Sequence, residues 1–311
     1  MSIAGLHHVT ATVDGAQPDL EFCVRVLGLC LVKRTINFDN HFVHHFYYAA
    51  DAVGSPGRIW TTFPYGGRGV RIGTKGAGQV TVTSLSVPEG SLASWRARFA
   101  KASTPCHDVA HRFGEETLEF ADPSGLRVEL VATARDPRDA WSGGLPGDRA
   151  IRGLHSVTIQ VRDPQPTIDL MTALLGFEVV SERNGRIRVA VAGDVPGHAI
   201  DVVHDPDAPT AVNGLGTVHH VAMSITSDAE QVELRERLIA AGRTVTEIRD
   251  RCYFKSIYFR EPGHVLFEVA TQAPGFTADE DAASLGRTLK LPPWEEPSRA
   301  EIEAALAPIA I

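Results

Sequence analysis

Two pairs of adjacent histidines stand near opposite ends of this chain, His7-His8 in GLHHVTATVD and His219-His220 in TVHHVAMSIT. A third copy of the segment, GLHSVTIQVRD, lies mid-chain with Ser156 where the others carry their second histidine. Side chains on a strand alternate between its two faces. In the first copy Leu6, His8, Thr10 and Thr12 share one face, and His7, Val9, Ala11 and Val13 share the other. The second set is mostly apolar and suits packing under a helix. The first set suits a lined cavity. The same reasoning points His220, Ala222 and Ser224 inward in the last copy, and Ser156, Thr158 and Gln160 in the middle one. The second histidine of each pair is the inward one. Glu268, on the strand-like stretch VLFEVAT with Leu266 and Ala270 on its face, is the third inward candidate. Two imidazoles and one carboxylate occupy one face of an octahedral ion and leave up to three positions for water, substrate and O2. The candidate metal ligands are therefore His8, His220 and Glu268.

The elements that must position them form an internal repeat. Each HHV-like strand precedes a stretch with apolar residues at helical spacing: Pro18 to Leu27, Pro166 to Leu175 and Asp228 to Ala241, each closed by a glycine. A fainter copy is QVTVTSLSV followed by Ser91 to Ala102. Two units end alike, FADPSGLRVELVAT and FREPGHVLFEVAT, and Glu129 holds in one the place of Glu268 in the other. The chain thus reads as four βαβββ units of about sixty residues each. A sheet with helices on one side only curves into an open cup. The expected fold is α+β, with two cup-shaped domains. The expected divisions are an N-terminal pair of units over 1–138, a linker over 139–150, a C-terminal pair over 151–272 and a tail over 273–311. In the tail, Ser298 and Glu301 spell a capping box for a short helix, and residues 273–297 are expected to cross the first cup. Because its unit lacks inward histidines, Glu129 reads as structural. His45, in HHFYYA, is a candidate pocket residue, and the remaining histidines read as core or surface groups.

The bulk properties exclude several other functions. The chain is 311 residues, 43% hydrophobic and 22% charged, with a formal net charge of −8 and no basic run. Nucleic acid and anionic membranes need clustered Lys and Arg, so neither is an expected partner. No uncharged apolar run approaches membrane-spanning length, and MSIAGLHHVT does not read as a signal peptide. Four cysteines without a CxxC pair read as reduced thiols in a cytoplasmic protein.

Taken together, LHHVT, VLGLCLVKRTINFD, GSPGRIWTTFP, GTVHHVA, RCYFKSIYFREPGHVLFEVAT and GFTADEDAASLG resemble the vicinal oxygen chelate superfamily. The closer resemblance is to its ring-cleaving (chloro)hydroquinone 1,2-dioxygenases, and it spans nearly the whole chain. The resemblance implies glyoxalase/extradiol dioxygenase-like cups and the same three ligands that alternation selects. It also implies Fe(II), with Mn(II) as the other option, and a reaction of O2 with hydroquinone-type aromatic diols, chlorinated or not, in aromatic catabolism. It places His7, Thr10, His219, Arg251 and Tyr258 around the ring. Thr10 agrees with the alternation; His7 and His219 rest on the resemblance alone. Tyr258 lies opposite Glu268 if the hairpin between them has a three-residue loop, and Ile257 does if it has two. Two other functions share this fold. A glyoxalase-type isomerase or lyase would want a fourth protein ligand. A non-catalytic binding (resistance) protein would need no metal. A homo-oligomer pairing through sheet edges is compatible with either.

Overall fold

The computed structural model describes residues 3–141 and 143–311, so Ser142 of the expected linker lies outside the described residues. Four βαβββ units follow one another. The first comprises β1 (Gly5–Val13), α1 (Ala16–Glu21), β2 (Cys30–Asn37), β3 (Asn40–Ala49) and β4 (Ile59–Pro64). The second comprises β5 (Gln79–Pro88), α2 (Leu92–Lys101), β6 (Cys106–Arg112), β7 (Glu115–Ala121) and β8 (Arg127–Thr133). The third comprises β9 (Gly153–Val161), α3 (Gln165–Leu174), β10 (Glu178–Arg183), β11 (Arg186–Ala190) and β12 (Ala199–His204). The fourth comprises β13 (Thr217–Ile225), α4 (Asp228–Ala240), β14 (Arg249–Asp250), β15 (Lys255–Arg260) and β16 (Leu266–Thr271), and α5 (Arg299–Ala305) closes the tail. The helix expected over Pro18 to Leu27 is α-helical only through α1. A π turn over Phe22–Val26 continues it and keeps Leu20, Cys23 and Leu27 buried.

The strands form two eight-stranded sheets, but not from consecutive units. One sheet runs β14-β15-β16-β13-β1-β4-β3-β2 and joins the first unit to the fourth. The other runs β10-β11-β12-β9-β5-β8-β7-β6 and joins the second to the third. The expected pairs over 1–138 and 151–272 therefore do not coincide with the sheets. The cause is non-local. The segment leaving β4 and the segment leaving β12 cross between the sheets side by side, tied by the bridges Ile72–Leu215, Thr74–Val212 and Ala77–Thr210. Symmetric bonds lock the arrangement: Leu6 N–H donates to Gly197 O (2.7 Å) and Leu154 N–H to Gly57 O (2.8 Å). Gly153, with φ +148°, permits this approach, since a Cβ there would lie 2.7 Å from Gly57 O.

The tail packs against the first sheet. Phe276 packs against Tyr47 with its ring tilted (4.8 Å between ring centres) and joins Val32, Ala222, Ala270 and Leu285 in one apolar cluster. Beyond it Leu289, Leu291 and Ile302 cover Ile36. The Ser298 side chain makes no capping bond, because a 3-10 turn over Glu296–Ser298 already leads into α5. Lys33, fully buried, is held by Asp279 (2.6 Å) and Glu280 (2.5 Å) of the tail. Replacing both acids by their amides strands an ammonium in the interior and should cost about 3–5 kcal/mol in urea unfolding. Lys33→Met in the same background should recover most of that loss, because it removes the unpaired charge. An unchanged midpoint in the double variant would show that Lys33 does not depend on the tail.

Candidate metal centre

The histidine pairs sit where the ladder between β1 and β13 slips. Leu6 pairs with Met223 and His8 with Ala222, so His7 is an extra residue in β1. Thr10 pairs with His220 and Ala11 with Val218, so His219 is an extra residue in β13. A bulge of this kind resets the alternation of faces. Leu6 joins the apolar core while His8, two residues on, faces the cup.

The three candidate ligands converge. Nε2 of His8 lies 3.2 Å from Nε2 of His220 and 3.4 Å from Oε2 of Glu268, and Nε2 of His220 lies 2.8 Å from the same oxygen. All three side chains are buried, Glu268 completely. The other nitrogen of each imidazole is taken: His8 Nδ1 pairs with His7 Nδ1 (2.9 Å) and His220 Nδ1 with His219 Nδ1 (2.7 Å). Burial, reinforced by the neighbouring imidazole, lowers the pKa of His7 and of His219 to about 3. Both are neutral and can accept from their neighbour. With Nδ1–H donating, His8 and His220 each turn an Nε2 lone pair toward Glu268. Glu268 Oε1 accepts from the Ser256 hydroxyl, while Oε2 accepts no hydrogen bond of good geometry. Burial works to raise the Glu268 pKa, but the positive charge that the two imidazoles carry when protonated outweighs it and keeps the carboxyl well below its usual range. Electron-rich atoms facing one another in a buried space fit a cation between them. Among the described residues, this is the group of His, Cys, Asp and Glu that could hold a metal, and no second carboxylate joins it.

A cavity of about 180 Å³ opens from these atoms. A void of roughly 150 Å³ accepts a benzene ring, so this one takes a single substituted ring. His219, Arg251 and Tyr258 line it, as does His45. His7 and Thr10 do not. His7 stands behind His8 against Phe254 (5.0 Å), and Thr10, fully buried, bonds Thr61 (2.8 Å). Tyr258 lies directly across from Glu268, because Glu261 N–H bonds Val265 O and leaves a three-residue loop with His264 at φ +73°. Arg251 Nε donates to the Tyr258 hydroxyl (3.1 Å), and the same guanidinium pairs with Asp39 (2.9 Å) from the β2–β3 turn. Asp39 and Ser256 escape the sequence reading. The first sits at a hairpin tip, and the second depends on the register of β15.

Residues 153–269 match the description "Glyoxalase/Bleomycin resistance protein/Dioxygenase superfamily". The chain is 40% identical over 308 residues to "Putative ring-cleaving dioxygenase MhqO" of Bacillus subtilis, covering 99% of this chain and 97% of that protein. It is 33% identical over 307 residues to the chlorohydroquinone/hydroquinone 1,2-dioxygenase of Sphingobium indicum, covering 96% and 95%. The chain belongs to the ring-cleaving dioxygenases of this superfamily. A crystal structure of a "putative dioxygenase" from Bacillus subtilis superposes on this family member with a TM-score of 0.94 at 40% identity, over 99% of this chain and 98% of that one. Glyoxalase I from Zea mays shares the fold alone, with a TM-score of 0.65 at 13% identity over 86% and 92%. Membership in this dioxygenase family implies a divalent metal, a small aromatic substrate and O2. No helix among the described residues is long and apolar enough to cross a membrane.

The second sheet repeats the pattern without its chemistry. Ser84 of β5 pairs with Ser156 of β9 and with Glu129 of β8, as Ala222 pairs with His8 and Glu268. Ser156 therefore occupies the place of His8, and His155 Nδ1 still bonds it (3.0 Å). The cation near Glu129 is a guanidinium, Arg112 at 2.6 Å. Glu115 of β7 is gripped by His155 (3.0 Å), Arg188 (3.2 Å) and Arg135. Burial works to raise the Glu115 pKa, but the hydrogen bond from His155 and the nearby charges hold it at about 2. A carboxyl with a depressed folded pKa stabilises above its unfolded value, near 4.5, and loses that contribution as the pH falls toward 2. Glu115→Gln should therefore cost about 3 kcal/mol at pH 7, the low end for a broken buried pair because Arg188 keeps Asp201. The gap to the parent should close as denaturation is repeated from pH 4.5 down to pH 2. A gap that does not narrow would remove Glu115 from the acid response.

Proposed function

We propose that this protein cleaves hydroquinone-type aromatic diols with O2, chlorinated ones included, using Fe(II) or Mn(II) held by His8, His220 and Glu268. One observation carries the reading: Glu268 Oε2, buried and without a hydrogen bond, faces two imidazole Nε2 atoms at the floor of a one-ring cavity. A redox-active divalent ion bound there would supply the electron exchange between ring and triplet O2. The remaining chemistry belongs to the chain. Tyr258 and Arg251 present hydrogen-bond donors over the ring where negative charge develops. His219, neutral and on the cavity wall, is placed to pass a proton. Phe254, against the His8 ring (5.3 Å), keeps one side of the site apolar. Four free cysteines support a reducing, cytoplasmic setting.

The test is anaerobic loading of the apoprotein with Fe(II), addition of hydroquinone, and admission of labelled O2. The reading expects O2 uptake and a ring-opened product carrying both labelled oxygen atoms. Metal retention with no O2 uptake, together with turnover of a thiol adduct of a 2-oxoaldehyde, would assign the protein to isomerases instead.

A further inference from the structure

Both hydroxyl hydrogens in a buried relay lead to one cavity-facing histidine that the proposed chemistry leaves unused. Thr10 Oγ1 lies 2.8 Å from Thr61 Oγ1, and Thr61 Oγ1 lies 2.9 Å from Nε2 of His45. Thr10 and Thr61 are fully buried, and among the described residues neither hydroxyl has another partner. Each hydroxyl carries one hydrogen, and a buried donor left without an acceptor is costly. Only one arrangement uses both hydrogens: Thr10 donates to Thr61, and Thr61 donates to His45 Nε2. If His45 donated from Nε2 instead, the hydrogen of one threonine would be stranded in the interior. His45 therefore accepts at Nε2 and carries its ring proton on Nδ1. Burial pushes its pKa well below the ordinary histidine value, so the ring is neutral and Nδ1–H is its one donor. Packing fixes the ring between Tyr47 (4.0 Å) and Phe63 (4.3 Å). His45 lines the cavity from β3, whereas the metal-holding atoms enter it from β1, β13 and β16 on the other side of the sheet order.

We propose that His45 is the specificity-determining residue for the ring oxygen farthest from the metal, donating its Nδ1–H to that oxygen. The proposal rests on the hydroquinone reading above and deepens it. It makes a 1,4-diol the preferred substrate over a phenol or a 1,2-diol, because only the 1,4-diol carries oxygen at both ends of the ring. A ring without the distal oxygen leaves a desolvated N–H unpaired.

Calorimetric titration of the metal-loaded full chain under anaerobic conditions tests this, with hydroquinone and phenol as probes. The parent should bind hydroquinone on the order of tenfold or more tighter than phenol. His45→Phe, which keeps the aromatic stack, should bring the two affinities within about twofold by weakening hydroquinone alone. Thr61→Val removes the donor to Nε2, frees the imidazole to change tautomer, and should narrow the ratio as well. The second variant decides the matter if the first does not fold. A hydroquinone preference that survives in a folded His45→Phe, or in Thr61→Val when His45→Phe is unfolded, overturns the proposal. So does a parent that binds both rings equally. A loaded parent that binds neither ring overturns the hydroquinone reading itself, and the proposal with it.

Discussion

Glu268→Gln should abolish stable metal retention while the protein stays folded. Glutamine matches the shape of glutamate and keeps a carbonyl oxygen for the Ser256 hydroxyl. It removes the one negative charge from a set whose other members are neutral imidazoles. Changes to residues that merely support ligands cost about 10- to 100-fold in affinity, so loss of the sole anionic ligand should exceed about 100-fold. The readout is metal content after dialysis, paired with thermal unfolding with and without Fe(II). A ligand at about 1,000 times its Kd stabilises by about 4.1 kcal/mol, which a chain of this size shows as a rise of several degrees in Tm. The parent should show that rise and the variant should not. His8→Ala and His220→Ala should also lose the metal. Full retention in any one of the three would exclude that residue from the ligand set.

The positions of His8, His220 and Glu268 were legible because strand alternation and the internal repeat are local properties of sequence. The role of the paired histidines was not. Alternation put His7 and His219 on the far face, and the resemblance put them at the ring. The structure gives a third answer for His7: a bulge carries it behind His8, where it bonds Nδ1. A bulge is one extra residue in a ladder, so it appears only once the partner strand is known. Sheet membership failed for a related reason. Four similar units can pair in more than one way, and the choice is made by crossover segments far from the repeated motifs. The polar lining divides along the same boundary. Tyr258 depended on a loop length that composition left open, and the positive φ of His264 settled it. Asp39 reaches Arg251 across more than two hundred residues of chain. In the second sheet Ser156 and Val82 stand where His8 and His220 stand in the first, and Arg112 is the cation beside Glu129.

Tyr258→Phe should lower kcat by on the order of 10²- to 10³-fold, with metal content and KM for the diol nearly unchanged. The phenol faces the cavity directly across from Glu268, and its ring meets His220 edge-on at 5.8 Å. Burial, and then the Glu268 charge, raise the Tyr258 pKa above its ordinary value, so the group remains an O–H. Its oxygen accepts from Arg251 Nε, which leaves its hydrogen for the substrate and polarises that hydrogen toward it. Arg251 is in turn anchored by Asp39, so the donor pair is in position before a ring arrives. A donor fixed in advance acts on charge that develops during reaction more than on the resting diol, which is why the loss should fall on kcat. Removing one hydroxyl leaves the three candidate ligand atoms and the histidines behind them in place, so the effect must be separable from metal loss. Turnover within about threefold of the parent, at equal metal content, would take Tyr258 out of the reaction and leave Arg251 as the donor over the ring.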